Sequence, residues 1–548
     1  MTPQEIPALY LKHKSLKAIA RATGVYREKV RLLYTEAVRL GLMEHVTLGG
    51  KSHAHYKNPT IKKQRVKALK TRKDTHHTFI LTCAQNNTDL HLPTWMNLLA
   101  LALHDNAKVY VSEFMYSKRG LGARNDKAQL KGGKPSQEEV WFDPRIAPFV
   151  NNDRVEIAKG LVWCGELNII PTAVSPLSGL EVYTGRASMV APHVTLAMES
   201  IPGLGGDGAK LNYTTGTVTQ RNYIQRKEGF KAEFHHCYGA LLVEVAEDGH
   251  WFARQLNADS DGTIYDLDRC AKDGLVTHGH RVEAINLGDT HNDEKDETVH
   301  AATFGAAGLV ETLDPKFIFV HDVLDFDRRG HHRIKDPYEM MLRYAQKRES
   351  VHVEVSQVRR FIVNAADPER REIVIVRSNH DDHLDRWMRE NDGRFDPVNA
   401  EYWGYLNHLK TSYIMVHKAV PDMLALAIRH MGDIYFEKTH NVRFLNSDSS
   451  FVICPKSGNG IECGLHGDRG ANGTRGSRRQ FAKSLGRRSN IGHSHSAGIT
   501  QGCFQAGTNS LLKLSYNQGL SSWTHSDIIT YANGKRAIVT FFNGKWRA

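Results

Sequence analysis

The stretch VEAINLGDTHN, residues 282–292, predicts the fold of the second half of the chain. Two later stretches repeat its order, FIFVHDVLD at residues 317–325 and IVIVRSNHD at residues 373–381. Each opens with a short apolar, β-branched run, which is typical of a buried strand, and each closes on polar side chains that can bind a metal. In an α/β sheet, ligands bind at the carboxyl ends of the strands. The three stretches therefore predict an α/β fold with a functional site at that edge.

Two further clusters are rich in histidine: GLHG at residues 464–467 and GHSH at residues 492–495. Together with the strand-end clusters they supply carboxylates, an amide and several imidazoles, without a thiolate. Two divalent cations about 3.5 to 4 Å apart require such a set, including one carboxylate that bridges them. The five clusters together predict a dinuclear metal site.

In the order Asp-x-His, Asp-x-x-Asp, Asn-His-Asp, His and Gly-His-x-His, the clusters resemble the calcineurin-like metallophosphoesterase superfamily over about residues 281–500. The resemblance implies a carboxy-terminal β-sandwich flanked by helices. It also implies two divalent metal ions, with manganese as the first choice and iron or zinc as alternatives, and a metal-bound hydroxide as the nucleophile. The implied ligands are Asp289, His291 and His495 for the first ion, Asp322 as the bridge, and Asn379, His466 and His493 for the second ion.

Three more residues receive roles from the same resemblance. His380 would lie near the leaving oxygen and donate a proton to it or stabilise its charge, with Asp381 orienting the imidazole ring. Asp325 would lie behind the ligands and fix one of them or the loop that follows. The chain departs from the family pattern at His321 and Ser378, where the pattern usually has glycine, and neither change removes a ligand.

A different register of the motifs is open. In that register, Asp89-Leu90-His91 supplies the first motif and Gly288–Asn292 supplies the second. It needs an insertion of nearly two hundred residues between adjacent strands, and it leaves Asp322 and Asp325 without a role.

The sequence between His466 and His493 is strongly basic, and no Asp or Glu occurs from residue 469 to residue 526. A planar guanidinium donates two parallel hydrogen bonds to phosphate, so this loop favours a clamp on a nucleic-acid backbone. A glycine-rich, solvated loop is the alternative. The candidate substrate contacts are Arg469, Arg475, Arg478, Arg479, Arg487 and Arg488.

The net charge of +12 is concentrated at the start of the chain. Residues 1–75 hold 17 Lys and Arg against 5 Asp and Glu, whereas the rest of the chain holds 55 of each. Residues 15–30 resemble a helix-turn-helix, with Gly24 in the turn and Arg27, Lys29 and Arg31 directed at DNA. A small helical hairpin used for assembly is the alternative. A basic arm on a neutral body is typical of a protein that binds a polyanion.

The chain of 548 residues is too long for one core. We expect a helix-turn-helix at 1–45, a basic linker at 46–75, a mixed α/β domain of unknown role at 76–280 and the metallophosphoesterase domain at 281–548. No apolar run approaches the length of a membrane span, no secretory signal is visible, and seven scattered cysteines fit reduced thiols. These features predict a cytoplasmic protein without a membrane partner, in the host cytoplasm if it is phage-encoded.

These observations favour a metal-dependent phosphodiesterase that hydrolyses DNA by a two-metal mechanism. More loosely, a basic amino-terminal region, a middle domain and a carboxy-terminal phosphoesterase resemble the early host-DNA-degrading proteins of large tailed phages. The alternatives are a metallophosphatase acting on protein or nucleotide phosphomonoesters, and a DNA-binding assembly protein that does not hydrolyse its ligand. DNA is the expected partner, and self-association of the chain is left open.

Overall fold

The computed structural model describes residues 1–13, 15–40, 42, 72–116, 140–204, 208–432, 435–514 and 516–548. The chain is α/β and divides into two compact units. Unit 1 comprises Met1–Glu199, Lys210–His280 and Arg547–Ala548, and unit 2 comprises Ser200–Ala209 and Arg281–Trp546. Within the described ranges, no helix is both long and apolar enough to span a bilayer.

Helices occur in both units. In chain order they are α1 (Ile6–His13), α2 (Leu16–Thr23), α3 (Arg27–Arg39), α4 (Leu92–His104), α5 (Lys227–His235), α6 (Glu297–Phe304), α7 (Leu309–Leu313), α8 (Pro337–Ala345), α9 (Val351–Ala365), α10 (Asp382–Glu390), α11 (Ala400–His417), α12 (Met423–Arg429), α13 (Phe436–His440) and α14 (Arg478–Ser484).

Strands are short and numerous. Those before residue 281 are β1 (Arg72–Lys73), β2 (Thr78–Gln85), β3 (Lys108–Phe114), β4 (Arg154–Ala158), β5 (Leu161–Cys164), β6 (Ser188–Ala191), β7 (Ala197–Ile201), β8 (Gly203–Leu204), β9 (Lys210–Thr214), β10 (Gly239–Val245), β11 (Trp251–Asn257), β12 (Ile264–Asp266), β13 (Arg269–Lys272) and β14 (Leu275–Thr277). Those after it are β15 (Ala284–Asn286), β16 (Phe317–His321), β17 (Glu372–Val376), β18 (Val442–Leu445), β19 (Val452–Ile453), β20 (Ile461–Glu462), β21 (Arg488–Ile491), β22 (Gly498–Thr500), β23 (Cys503–Gln505), β24 (Leu520–Ser521), β25 (Ser526–Thr530) and β26 (Arg536–Thr540).

Unit 1 is built around the sheet β11-β10-β2-β3, in which β2 and β3 run parallel and helix α4 connects them. The apolar side of α4 buries Trp95 and Leu98 in a core that also contains Ile80 of β2 and Val109 of β3. A second sheet of this unit has the order β1-β4-β5-β6-β9. The described part of the predicted basic linker is residues 72–75, where β1 pairs with β4 in parallel; the rest lies outside the described residues.

The amino-terminal helices belong to unit 1. Helix α2 ends at Thr23, and Gly24 follows it with a φ of +68°, a conformation that glycine adopts without a steric cost. Helix α3 then packs Val30 against α1 and α2. Leu32 of α3 joins the core that surrounds α4. Arg31 differs from the expectation of a side chain directed at DNA, because it donates to Glu28 at 2.9 Å and to the carbonyl of Pro148.

Unit 2 contains two sheets that share a core. The first has the order β18-β17-β16-β15-β25-β26, with β15 to β18 parallel. The second has the order β22-β23-β21-β20-β19. Phe319 and Val374 of the first sheet pack with Ile453 and Ile461 of the second. This arrangement brings loops from both sheets to the site described next.

Candidate metal centre

Loops from both sheets of unit 2 carry the predicted ligands. The ligands that follow β15, β16 and β17 in the first sheet are Asp289, His291, Asp322 and Asn379. Those that follow β20 and β21 in the second sheet are His466, His493 and His495. Since β15, β16 and β17 run parallel, their carboxyl ends lie at one edge. A backbone hydrogen bond joins the first two loops, because the N–H of His291 donates to the carbonyl of Asp322 at 2.8 Å.

Four buried side chains meet where the first ion was predicted. Nε2 of His291 lies 3.0 Å from Nε2 of His495 and 3.6 Å from Oδ2 of Asp322. Oδ2 of Asp289 lies 3.2 Å from Nε2 of His495. The sequence-predicted ligands of this ion are therefore brought together, with their donor atoms facing one another.

The side chains predicted for the second ion adjoin this group. Nε2 of His466 faces Oδ2 of Asp322 at 3.3 Å and Oδ1 of Asn379 at 3.2 Å. The half-buried ring of His493 lies beside that of His466, with ring centroids 5.1 Å apart. The same oxygen of Asp322 faces both His291 and His466, which places this carboxylate between the two groups of ligands.

The site contains buried polar atoms that no hydrogen bond satisfies. Both carboxylate oxygens of Asp289 and Oδ1 of Asp322 lack a hydrogen-bond partner among the residues that the structure describes. A buried carboxylate without partners is costly, so these atoms indicate a positively charged ligand. Oxygen and imidazole donors without thiolate suit divalent first-row metals. The residues therefore fit the two cations that the sequence predicts.

Four of the seven ligands adopt left-handed backbone conformations. The φ angles are +40° at His291, +45° at Asp322, +76° at His493 and +57° at His495. Such conformations are uncommon outside glycine and carry a cost of about 1 to 3 kcal/mol each. The surrounding hydrogen bonds and packing must offset that cost, which is typical of a functional site.

His380 and Asp325 lie next to the ligands. Oδ1 of Asp325 is 2.8 Å from Nδ1 of His291 and 3.4 Å from Nδ1 of His380, and the carbonyl of Asp325 lies 3.1 Å from the same atom of His380. Asp381 differs from the expectation that it orients His380. Its carboxylate instead accepts the backbone N–H of Leu324 at 3.1 Å. The carboxylate that holds the His380 ring is that of Asp325.

The charged groups of the cluster shift one another's pKa values. Burial alone would raise the pKa of Asp322, but positive charge on His466 and His380 outweighs burial and holds that pKa well below its usual range. Burial and the charge of Asp322 raise the pKa of Asp289 well above its usual range. Burial lowers the pKa of His380, but Asp322 and Asp325 outweigh it and raise the pKa to about 10. Because metal ligands bind in their deprotonated forms, metal binding would release protons from the cluster.

The six candidate arginines do not share one environment. Arg475, Arg479 and Arg487 are exposed, and Arg478 is half-buried. Arg469 forms an ion pair with Asp382 at 2.6 Å. Arg488 differs from the expectation of a substrate contact, because its guanidinium donates to the carbonyl of Gly534 at 3.0 Å and to the carbonyl of Ser457. It thus joins two loops of unit 2.

The alternative register of the motifs does not match the structure. Asp89 and His91 belong to unit 1, whereas Asp289 belongs to unit 2. Both ring nitrogens of His91 have partners within unit 1: Nδ1 lies 2.7 Å from Oγ1 of Thr94, and Nε2 lies 3.1 Å from the carbonyl of Ser260. His91 is a buried residue whose hydrogen bonds are satisfied.

Sequence reasoning missed two residues of the site. His321 is completely buried, and one of its ring nitrogens lies within 4.8 Å of donor atoms of Asp289 and His466. The sequence signal for His321 was that it replaces the glycine that the family pattern usually has before Asp322. The ring of Trp523 packs on His495, with ring centroids 4.0 Å apart. No motif surrounds Trp523, so nothing in the sequence connects it with the metals.

Comparison with known proteins gives one informative relative. Over 484 residues the chain is 38% identical to Protein A1 of Escherichia phage T5, and the match covers 86% of this chain and 83% of that protein. No family model matches the chain, and no solved structure matches it. The likeness to metallophosphoesterases therefore depends on the motif residues and their geometry alone.

Proposed function

This chain belongs to the family of Protein A1 of Escherichia phage T5, and we propose that it is a metal-dependent phosphodiesterase that hydrolyses DNA, acting in host DNA degradation by a phage. One observation carries the proposal. Carboxylates and imidazoles from five loops lie together, one oxygen of Asp322 faces both His291 and His466, and oxygens of Asp289 and Asp322 have no hydrogen-bond partner among the described residues. Stability alone does not favour such convergence of buried charge.

Two divalent cations, manganese first, would be held in this cluster. Asp289, His291 and His495 would hold one, Asn379, His466 and His493 the other, and Asp322 would contact both. When bound, such cations activate water and neutralise charge on phosphate oxygens. The protein then needs no nucleophile of its own.

His380 is suited to act on the leaving group. Its Nδ1 is engaged by Asp325, so the opposite ring nitrogen is directed away from that carboxylate. The side chain is 23% exposed, which leaves it accessible to a substrate. A protonated imidazole in this position donates a proton to the departing oxygen, a role that typically contributes a factor of 10² to 10⁴ in rate.

Charge near the cluster supports a polymeric substrate. Arg475 is exposed and lies close enough to His493 to lower the pKa of that imidazole, after the larger effects of burial and of His466. Arg479, in α14, and Arg487, after it, are also exposed in the segment between His466 and His493. Guanidinium groups spaced along one segment suit successive phosphates of a nucleic-acid backbone better than the single phosphate of a small monoester.

The test is cleavage of linear and closed-circular duplex DNA by the full-length chain with Mn²⁺. Wild-type protein should degrade DNA. Asp322→Asn should lose activity by roughly 10³-fold or more, because removing the bridging charge affects both ions. His380→Gln should bind Mn²⁺ normally and lose roughly 10² to 10⁴ in rate. Asp448→Asn, which changes an exposed carboxylate of unit 2, is the matched control and should cleave as wild type does.

An aryl phosphate monoester separates the proposal from the phosphatase alternative. Hydrolysis of that ester with intact DNA would overturn the nuclease in favour of a phosphomonoesterase. Equal DNA cleavage by wild type and Asp322→Asn would show that the activity does not come from this cluster. Conversion of the closed-circular DNA to nicked or linear DNA would reveal internal cutting, because the circular substrate has no ends.

A further inference from the structure

One buried imidazole beside the metal cluster, that of His321, is not among the predicted ligands. His321 is completely buried at the end of β16, and neither of its ring nitrogens has a hydrogen-bond partner among the described residues. An unsatisfied buried polar group costs about 1 to 3 kcal/mol. The imidazole therefore needs polar partners, and its neighbours identify them.

Two of those neighbours are ligands of different predicted ions. One ring nitrogen of His321 and donor atoms of Asp289 and His466 all lie within 4.8 Å of one another. Nδ1 of His466 and Oδ1 of Asp289 are 3.9 Å apart, and neither has a hydrogen-bond partner among the described residues. The ring of His321, Nδ1 of His466 and Oδ1 of Asp289 are thus three buried polar groups that lie close together without hydrogen-bond partners among the described residues.

Imidazole chemistry matches these groups to one another. Nε2 of His466 faces Asp322 and Asn379, so this nitrogen is the one that would bind an ion, and Nδ1 must then carry the proton. The Nδ1–H group requires an acceptor, whereas the carboxylate of Asp289 requires a donor. One nitrogen of His321 lies near both groups, and a water molecule held by that nitrogen satisfies both, because water accepts from an N–H and donates two hydrogen bonds.

We propose that His321 is a positioning residue for the metal centre, a role that rests on the proposed function. Through one water molecule, the ring nitrogen of His321 that lies near both groups connects them: the water accepts from Nδ1–H of His466 and donates to Oδ1 of Asp289 and to that nitrogen. His321 thus fixes the tautomer of His466 and the orientation of the Asp289 carboxylate, and so connects a ligand of one ion to a ligand of the other. Partners of this kind typically change metal affinity by 10- to 100-fold.

The GHSH motif leaves room for this contact. A Cβ atom at Gly492 would lie 2.2 Å from Oδ1 of Asp289 and 3.3 Å from Cγ of His321. Only the absence of a side chain at Gly492 lets the backbone of that loop approach both groups. The histidine in place of the usual glycine before Asp322 is therefore accommodated by a glycine in the facing loop.

A third metal ion held by Asp289, His321 and His466 is less consistent with the chemistry. Such an ion would need the lone pair of Nδ1 of His466, while Nε2 of the same ring faces the second predicted ion. A neutral imidazole has only one free lone pair on nitrogen. The hydrogen-bonded arrangement satisfies the three atoms that face one another without that conflict.

The test measures Mn²⁺ binding by titration calorimetry and by the electron paramagnetic resonance signal of bound Mn²⁺, without nucleic acid. The variants are His321→Leu, which keeps volume and removes both polar atoms, and His321→Gln, which restores a donor and an acceptor. Wild type should bind two ions. His321→Leu should still bind two, with the Kd of at least one raised 10- to 100-fold, and His321→Gln should recover part of that loss.

The control is His300→Gln, which removes a half-buried imidazole of α6 in the same unit and should leave both Kd values unchanged. Unchanged affinity in His321→Leu would overturn the proposal, and so would the loss of one whole ion. If His321→Leu does not fold in the absence of metal, as judged by circular dichroism, His321→Gly replaces it, and Mn²⁺ affinity should fall in the order wild type, His321→Gln, His321→Gly. Two bound ions with the expected ranking, but intact DNA, would reject the nuclease and retain the role of His321.

Discussion

At the scale of single residues, buried imidazoles occur in both units, and their partners decide what each can do. His291 and His495 face each other and two carboxylates across the metal centre. His193 of unit 1 is equally buried, but its Nδ1 accepts the N–H of Thr195 at 3.0 Å and its Nε2 lies 3.2 Å from the carbonyl of Ile170. Backbone groups satisfy that ring completely, so His193 is a neutral, structural histidine.

This difference predicts a pH dependence for the stability of unit 1. Burial lowers the pKa of His193 to about 4 from its ordinary value of 6.5. Between these values the unfolded chain binds a proton that the folded chain does not, so stability falls as pH drops below about 6.5, by about 1.4 kcal/mol per pH unit. We expect the free energy of unfolding, measured with urea at pH 7, 6 and 5, to change less with pH in His193→Gln than in wild type.

Its control is His77→Gln, which changes an exposed histidine of the same unit and should leave the pH slope as it is in wild type. An equal slope in wild type and His193→Gln would mean that other groups account for the acid sensitivity.

At the scale of elements, the amino-terminal helices combine packing with charge. Helix α3 contributes Leu32 to the core around α4, so removing residues 1–75 would disturb unit 1 as well as remove basic charge. Arg27 and Lys29 of α3 are exposed, whereas Arg31 is held by Glu28 and Pro148. Substitution of the two exposed residues separates a DNA contact from a packing role.

We expect the double variant Arg27→Ala/Lys29→Ala to bind DNA more weakly and with a smaller dependence on salt. Each lost phosphate contact lowers the slope of log affinity against log salt concentration by about 1. The measurement is fluorescence anisotropy with labelled duplex DNA at several salt concentrations. Lys227→Ala/Lys231→Ala removes two exposed cations of α5 in the same unit and is the matched control. If the slope of log affinity against log salt concentration is the same for both double variants, α3 makes no specific contact with DNA.

Several elements could be predicted from the sequence because their signals are local. The β-branched runs before Asp289, Asp322 and Asn379 became β15, β16 and β17, and the ligands at their ends lie together. The partner of His380 could not be predicted, because the direction of the Asp381 carboxylate depends on a contact with the backbone of another loop. Arg488 was misread for the same reason, since charge alone does not reveal that Gly534 and Ser457 lie beside it.

At the scale of the whole molecule, the chain divides at His280 and Arg281. The candidate metal ligands all lie in unit 2. A ligand that binds only the folded state stabilises it by about 2.7 kcal/mol when its free concentration is 100 times Kd. Cation binding should therefore stabilise unit 2 selectively.

Hydrogen exchange followed by mass spectrometry tests this expectation. Mn²⁺ should slow amide exchange in peptides that cover residues 288–296, 321–328, 378–382, 464–468 and 492–496, and EDTA should reverse the effect. Strands β2 and β10 of unit 1 serve as the internal reference and should exchange equally with and without Mn²⁺. Uniform protection of both units would indicate non-specific binding of cations, and no protection of the ligand loops would contradict the proposed centre.

The left-handed backbone at His291, Asp322, His493 and His495 limits how the metal preference of this protein can be changed. Asparagine, aspartate and glycine tolerate that conformation better than longer or β-branched residues do. Substitution of any of these four ligands by glutamate would therefore increase backbone strain as well as change the metal-binding atom. The remaining three ligands, Asp289, Asn379 and His466, have no left-handed φ. Attempts to select a different metal, whether by a laboratory or by natural variation, should succeed first at those three positions.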